Sequence, residues 1–146
     1  MTSNKTKTMM LNKISRSFPV EIWKPGPPFD TLIQTILSQN TNDRNSDAAM
    51  KTLRKRYKVT PRALAKAKIR ELIPCIRSAG LYRSKALHII EVSRIIWQQY
   101  NSSLDSILEL PYSEAKEKLM AFPGVGPKTA DIVLAFNAKH LSLIHI

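Results

Sequence analysis

The stretch Phe122-Pro123-Gly124-Val125-Gly126-Pro127-Lys128-Thr129-Ala130 decides how the rest of the chain is read. Two glycines separated by one apolar residue make a turn in which successive backbone N–H groups can point outward together. Glycine tolerates the positive φ that such a turn needs, and Pro127 falls where a helix begins, its missing N–H costing nothing there. Asp131-Ile132-Val133-Leu134-Ala135-Phe136 continues with an apolar stripe suited to a buried helix. Upstream, Ser113 to Ala121 reads as another helix, with Ser113 as its N-cap. Helix, hairpin, helix suits the capture of a phosphate by backbone amides and a helix N-terminus. Lys128 projects from the first turn of the second helix. A lysine there can neutralise a phosphate, or act as an amine nucleophile if its pKa is lowered.

Charge points to the same kind of partner. Across 146 residues, 23 Lys and Arg face 11 Asp and Glu, a formal net charge of +12. From Arg44 to Lys85 there are thirteen basic residues and two acids, Asp47 and Glu71. Such an excess suits a polyanion, and nucleic acid is the usual one. Cys75 is the one cysteine, which excludes an internal disulfide and suits a reducing compartment; in Leu72-Ile73-Pro74-Cys75-Ile76 it reads as a small buried hydrophobe. No apolar run reaches the roughly 20 residues of a membrane span. A hydrophobic content of 43% excludes wholesale disorder, and the length suits one domain.

Residues 1–28 read as a basic N-terminal arm, a short helix over Met9–Phe18 and an entry loop ending in Pro25-Gly26-Pro27-Pro28. Phe29, Leu32, Ile33, Ile36 and Leu37 follow the i, i+3, i+4, i+7, i+8 pattern of a buried helix face. The polar cluster Ser38-Gln39-Asn40-Thr41-Asn42-Asp43 ends that helix. Arg44–Tyr57 reads as a basic helix with Ala48, Ala49, Leu53 and Tyr57 inward. Thr60-Pro61 caps a short helix reaching Ala67. Lys68–Ala79 is the next, broken or kinked at Pro74 and terminated by Gly80. Lys85–Tyr100 is the longest helix, with Trp97 in the core and His88 packed or at the surface, and Leu104–Leu110 is a short one. There is no strand-like alternation, so the domain is all-α.

Three stretches carry a family resemblance. The string Phe122–Ala130 resembles the helix-hairpin-helix of the endonuclease III family of base-excision DNA glycosylases, whose lysine after the hairpin is the catalytic amine. Thr35–Asp43 (TILSQNTND) resembles the loop with which that family enters duplex DNA from the minor groove. Gly80–Ala86 (GLYRSKA) resembles its GLYxxKA segment, whose leucine wedges into the opposite strand. The resemblance covers about Phe29 to Phe136 and implies a six-helix barrel with the hairpin. It implies that Lys128 is catalytic, and that Gly124, Val125, Gly126, Lys128, Thr129 and Lys85 contact DNA. Either Asn40 or Gln39 would fill the gap left by an extruded base, and Leu81 would wedge beside it.

Lysine at position 128 points to a combined glycosylase and abasic-site lyase, with oxidised pyrimidines as the expected substrates. The 8-oxoguanine and mismatch glycosylases of the same superfamily, and a non-catalytic DNA-binding module, are the alternatives. The expected partner is double-stranded DNA with a damaged base or abasic site, bound by a monomer in the cytoplasm at the nucleoid, with no membrane. The family pattern breaks after residue 140. Its aspartate, less than two dozen residues past the lysine, has no counterpart; the one acid after Lys128 is Asp131, read as a first-turn acid favoured by the helix dipole. The four cysteines that hold an iron–sulfur cluster in many members are also missing. Residues 141–146 therefore read as an atypical tail on a truncated chain with an incomplete second lobe, a 29–140 glycosylase domain, and no metal or cofactor of its own, a four-iron four-sulfur cluster being possible in a longer parent.

Overall fold

The structure, a computed structural model, describes residues 26–136. The N-terminal arm and helix, the start of the entry loop and the tail at 141–146 lie outside them. Eight α-helices make up the regular structure of the described residues: α1 (Pro28–Ser38), α2 (Asp43–Arg56), α3 (Pro61–Ala65), α4 (Ile69–Ile76), α5 (Tyr82–Gln99), α6 (Asp105–Leu108), α7 (Tyr112–Met120) and α8 (Pro127–Ala135). A 3₁₀ turn, Arg77–Ala79, follows α4.

Helix α1 is the centre of the packing. Leu32, Ile33, Ile36 and Leu37 have no exposed surface, and Phe29 and Thr35 are also buried. A helix apolar around most of its girth must be covered on several sides, and α1 packs against α2, α5 and α8. Helices α3 and α4 lie against α5, α4 and its 3₁₀ turn against α2, and α7 against α6 and α8.

Capping follows short-range chemistry. The Asn42 side chain accepts from the Asn45 N–H at 2.8 Å to start α2, and Thr60 accepts from Ala63 N–H at 3.2 Å to start α3. Pro74 does not break α4; the helix runs two residues past it and tightens into the 3₁₀ turn, which Gly80 ends at φ +71°. The inward face of α2 is Ser46, Ala49, Met50 and Leu53, and Ala48 is exposed, one position off the expected stripe. Helix α7 starts at Tyr112 after Pro111 with no side-chain cap, so Ser113 is not its N-cap. Trp97 is half-buried rather than core, with the Lys66 ammonium 5.3 Å from its ring centre.

Candidate nucleic-acid interface

The hairpin between α7 and α8 is built from short bonds. Val125 N–H donates to the Phe122 carbonyl at 3.2 Å, and Ala130 N–H donates to the Gly126 carbonyl at 3.0 Å, opening α8. Gly124 is left-handed, at φ +77°. A Cβ there would also meet the His88 ring at 2.7 Å, so the imidazole of α5 seats the turn. Gly126 differs from the expectation. Its φ of −95° is open to any residue, and nothing lies within 4 Å of where its Cβ would be. Glycine at 126 leaves space open in front of the helix N-terminus and relieves no backbone strain.

That space is part of a cleft of about 590 Å³ between the hairpin and the loop after α1. Thr35, Ser38, Gln39, Asn40 and Thr41 line one side, and Gly124, Gly126, Pro127, Lys128, Thr129 and Ile132 the other. Lys128 is exposed and is the one charged side chain in this lining. The N–H groups of Gly126, Lys128 and Thr129 donate to no other described residue. Together with the N-terminus of α8 they form an anion-binding corner beside a primary amine. The side chains of Val125 and Thr129 are buried, and the Val125 N–H is spent on the Phe122 carbonyl, so of these two residues Thr129 is the one that offers a phosphate a free backbone N–H.

The two amides of the polar loop separate cleanly. Gln39 Nε2 donates to the Gly124 carbonyl at 2.8 Å and to Thr129 Oγ1 at 2.9 Å, fastening the loop to the hairpin. Asn40 makes no such bond. It stands exposed with a left-handed backbone, φ +54°. Leu81 is the matching tip before α5, also left-handed at φ +44° and 59% exposed, the largest exposure among the large hydrophobic residues described. Beside it, the Arg77 guanidinium lies 5.3 Å from the Tyr82 ring centre, and Ser78 Oγ donates to the Asn45 carbonyl at 3.2 Å.

Two expected roles are corrected. Lys85 is not on the surface: it is 2% exposed, and its Nζ donates to the carbonyls of Leu37 at 2.9 Å and Ala79 at 2.8 Å. Burial draws its pKa below the ordinary lysine value. It therefore makes no direct contact with a ligand in the cleft. Asp131 lies in the second turn of α8, not the first. Tyr112 Oη donates to its Oδ1, and Lys116 Nζ lies 3.1 Å from Oδ2. The carboxylate clasps α7 to α8 and is committed there. Neither the approach of the His88 ring to Gly124 nor this clasp was legible in the sequence, since each depends on how one helix lies against its neighbour. Cys75 is buried, with its thiol pKa pushed up by desolvation. No three His, Cys, Asp or Glu side chains gather among the described residues, which do not fit a four-cysteine cluster.

Comparison with known proteins agrees with this architecture. The profile of the HhH-GPD superfamily base excision DNA repair proteins matches residues 33–143. Endonuclease III of Thermotoga maritima is 42% identical over 134 residues, covering 92% of this chain and 58% of the relative. A trapped endonuclease III–DNA covalent intermediate, an estranged-adenine complex, superposes with a TM-score of 0.62 at 33% identity, over 75% of this chain and 47% of that one. A non-covalent endonuclease III–DNA complex gives 0.64 at 30% identity, over 92% and 59%. The chain thus spans between 47% and 59% of the length of these proteins. On the profile match, the sequence identity and the shared all-helical fold, it belongs to the HhH-GPD superfamily of base excision DNA repair proteins.

Proposed function

We propose that the protein is a base-excision repair DNA N-glycosylase with abasic-site lyase activity, acting on oxidised pyrimidines in duplex DNA through Lys128. The observation that carries this reading is the placement of one primary amine at the rim of a cleft whose wall is a free-amide hairpin. A base inside the stack is out of reach, so the nucleotide must turn out of the duplex. The hairpin amides and the α8 N-terminus hold a phosphate, Asn40 fills the vacated space, and Leu81 wedges into the opposite strand. Lys128 Nζ, as the free amine, attacks C1′ of the sugar. The C1′–N bond breaks, and the base leaves with the electron pair and takes up a proton. Opening of the sugar ring gives a Schiff base between Nζ and C1′. Loss of a C2′ proton then expels the 3′-phosphate, which nicks the strand. No step calls on a bound cofactor. Chemistry of this kind belongs with chromosomal DNA, and the monomer at the nucleoid is the proposed setting; among the described residues no helix is long and apolar enough to cross a membrane.

Borohydride reduces a Schiff base to a stable amine, so trapping on an abasic duplex tests the assignment. The parent chain is expected to form a covalent protein–DNA adduct and Lys128→Gln none. Base release from a thymine-glycol duplex against an 8-oxoguanine duplex tests the substrate. An adduct undiminished in Lys128→Gln would remove the lysine from the mechanism, and a parent chain that binds but never traps would be a DNA-binding module without the chemistry.

A further inference from the structure

The position of Lys85 is unusual for a lysine in so basic a chain. It is buried, no carboxylate pairs with it among the described residues, and both of its hydrogen bonds go to main-chain carbonyls. Leu37 is the penultimate residue of α1 and Ala79 the last of the 3₁₀ turn after α4. Carbonyls at such ends lack intrahelical donors and carry the negative end of the helix dipole. One ammonium therefore serves two helix ends that converge from different parts of the chain. Three residues past Leu37 the backbone turns left-handed at Asn40, and two past Ala79 it does so at Leu81. Asparagine adopts that conformation more readily than other side chains, whereas leucine holds it only where its surroundings impose it. Each tip follows within three residues of a carbonyl that Lys85 holds.

We infer that Lys85 is a positioning residue that pins the Asn40 and Leu81 tips to a common point, presents them to the duplex as a rigid pair, and so sets the preference for abasic over intact DNA. The inference rests on the DNA-repair reading above. Ordering two loops on binding would lower affinity, and holding them beforehand removes that loss. Intact duplex is gripped through phosphates at the hairpin, which Lys85 does not touch. Only a site with a gap in the stack admits the tips. Loss of the pin is thus felt on the abasic duplex and hardly on the intact one.

The test is the affinity of the 146-residue chain for two duplexes of one sequence, one with a tetrahydrofuran abasic analogue and one intact. Lys85→Met keeps the stem and removes the donors. Its affinity for the abasic duplex is expected to fall about tenfold, with less than about a twofold change on the intact duplex. Combined with Leu81→Ala, the loss in the double variant should be smaller than the product of the two single losses, as for coupled sites. Circular dichroism and a melting curve identify a variant that does not fold. In that case Lys85→Gln, which keeps a polar head too short to span both carbonyls, carries the same comparison. Equal loss on both duplexes would make Lys85 a general structural group and overturn the inference. So would a folded Lys85→Met that retains the abasic preference while Leu81→Ala or Asn40→Ala loses it. If neither tip variant changes the preference, it is the underlying reading of the tips that fails.

Discussion

At Gly124 the backbone is left-handed and the His88 ring occupies the space a side chain would need, whereas at Gly126 neither constraint applies. The two glycines of one hairpin should therefore respond differently to the same change. Gly124→Ala is expected to cost about 1–2 kcal/mol for the left-handed backbone alone, with more for displacing His88. A drop in thermal midpoint measures it. Gly126→Ala should fold with a near-parental midpoint yet bind DNA of any sequence more weakly, because its methyl enters the cleft where a phosphate approaches the free amides. A Gly126→Ala chain that bound as tightly as the parent would mean the phosphate sits elsewhere. At Lys128 the place in the first turn of a helix was legible directly, one residue after the proline that opens it, and the role was what the resemblance of Phe122–Ala130 implied. At Gln39 and Asn40 it was not: two adjacent amides look alike in sequence, and only the carbonyl of Gly124 tells them apart.

Among the helices, the α7–α8 pair owes its alignment to the Asp131 clasp as well as to apolar packing. The Lys116 pKa is raised, first by its hydrogen bond to Asp131. That of Tyr112 is raised by burial and then by its own bond to the same carboxylate. Both groups hold their protons more tightly folded than unfolded. Their contribution is therefore complete below the ordinary values of 10.0 and 10.5, and is lost as pH rises through the higher folded values. The thermal midpoint of the parent should fall more steeply above about pH 10 than that of Asp131→Asn. At neutral pH that variant should lose about 1 kcal/mol, since the pair is partly exposed. Parallel alkaline curves for the two chains would assign the steepness to other groups. The helices themselves follow from their local signals: Asn42, Thr60-Pro61 and Gly80 mark ends that a 3.6-residue apolar period joins.

For the molecule as a whole, the charge of +12 makes the predicted DNA affinity a matter of counterion release. If about six phosphates are contacted, affinity should fall roughly a thousandfold between 50 and 200 mM salt, with little dependence on sequence. Fluorescence anisotropy across a salt series reads the slope, and a flat response would remove the electrostatic account. Exposed cations such as Arg44, Arg77 and Arg83 lie near the two tips in sequence, and Lys85, counted among the thirteen, contributes inside the fold and not at its surface.

The amino-acid sequence by itself determined the all-helical class, the hairpin with Lys128 behind it, the ends at Thr60 and Gly80, and the sign of the partner's charge. Each of these depends on chemistry within a few residues, or on a sum over the chain that no folding alters. The tertiary structure alone decided where the long polar side chains end. Gln39 finds its partner at Gly124, 85 residues away, and Lys85 finds Leu37, 48 residues away. A flexible side chain several bonds long takes its direction from whichever unpaired carbonyl or carboxylate the packing brings within reach. That neighbour is set by how helices cross, and helix crossing leaves no mark in the local order of residues.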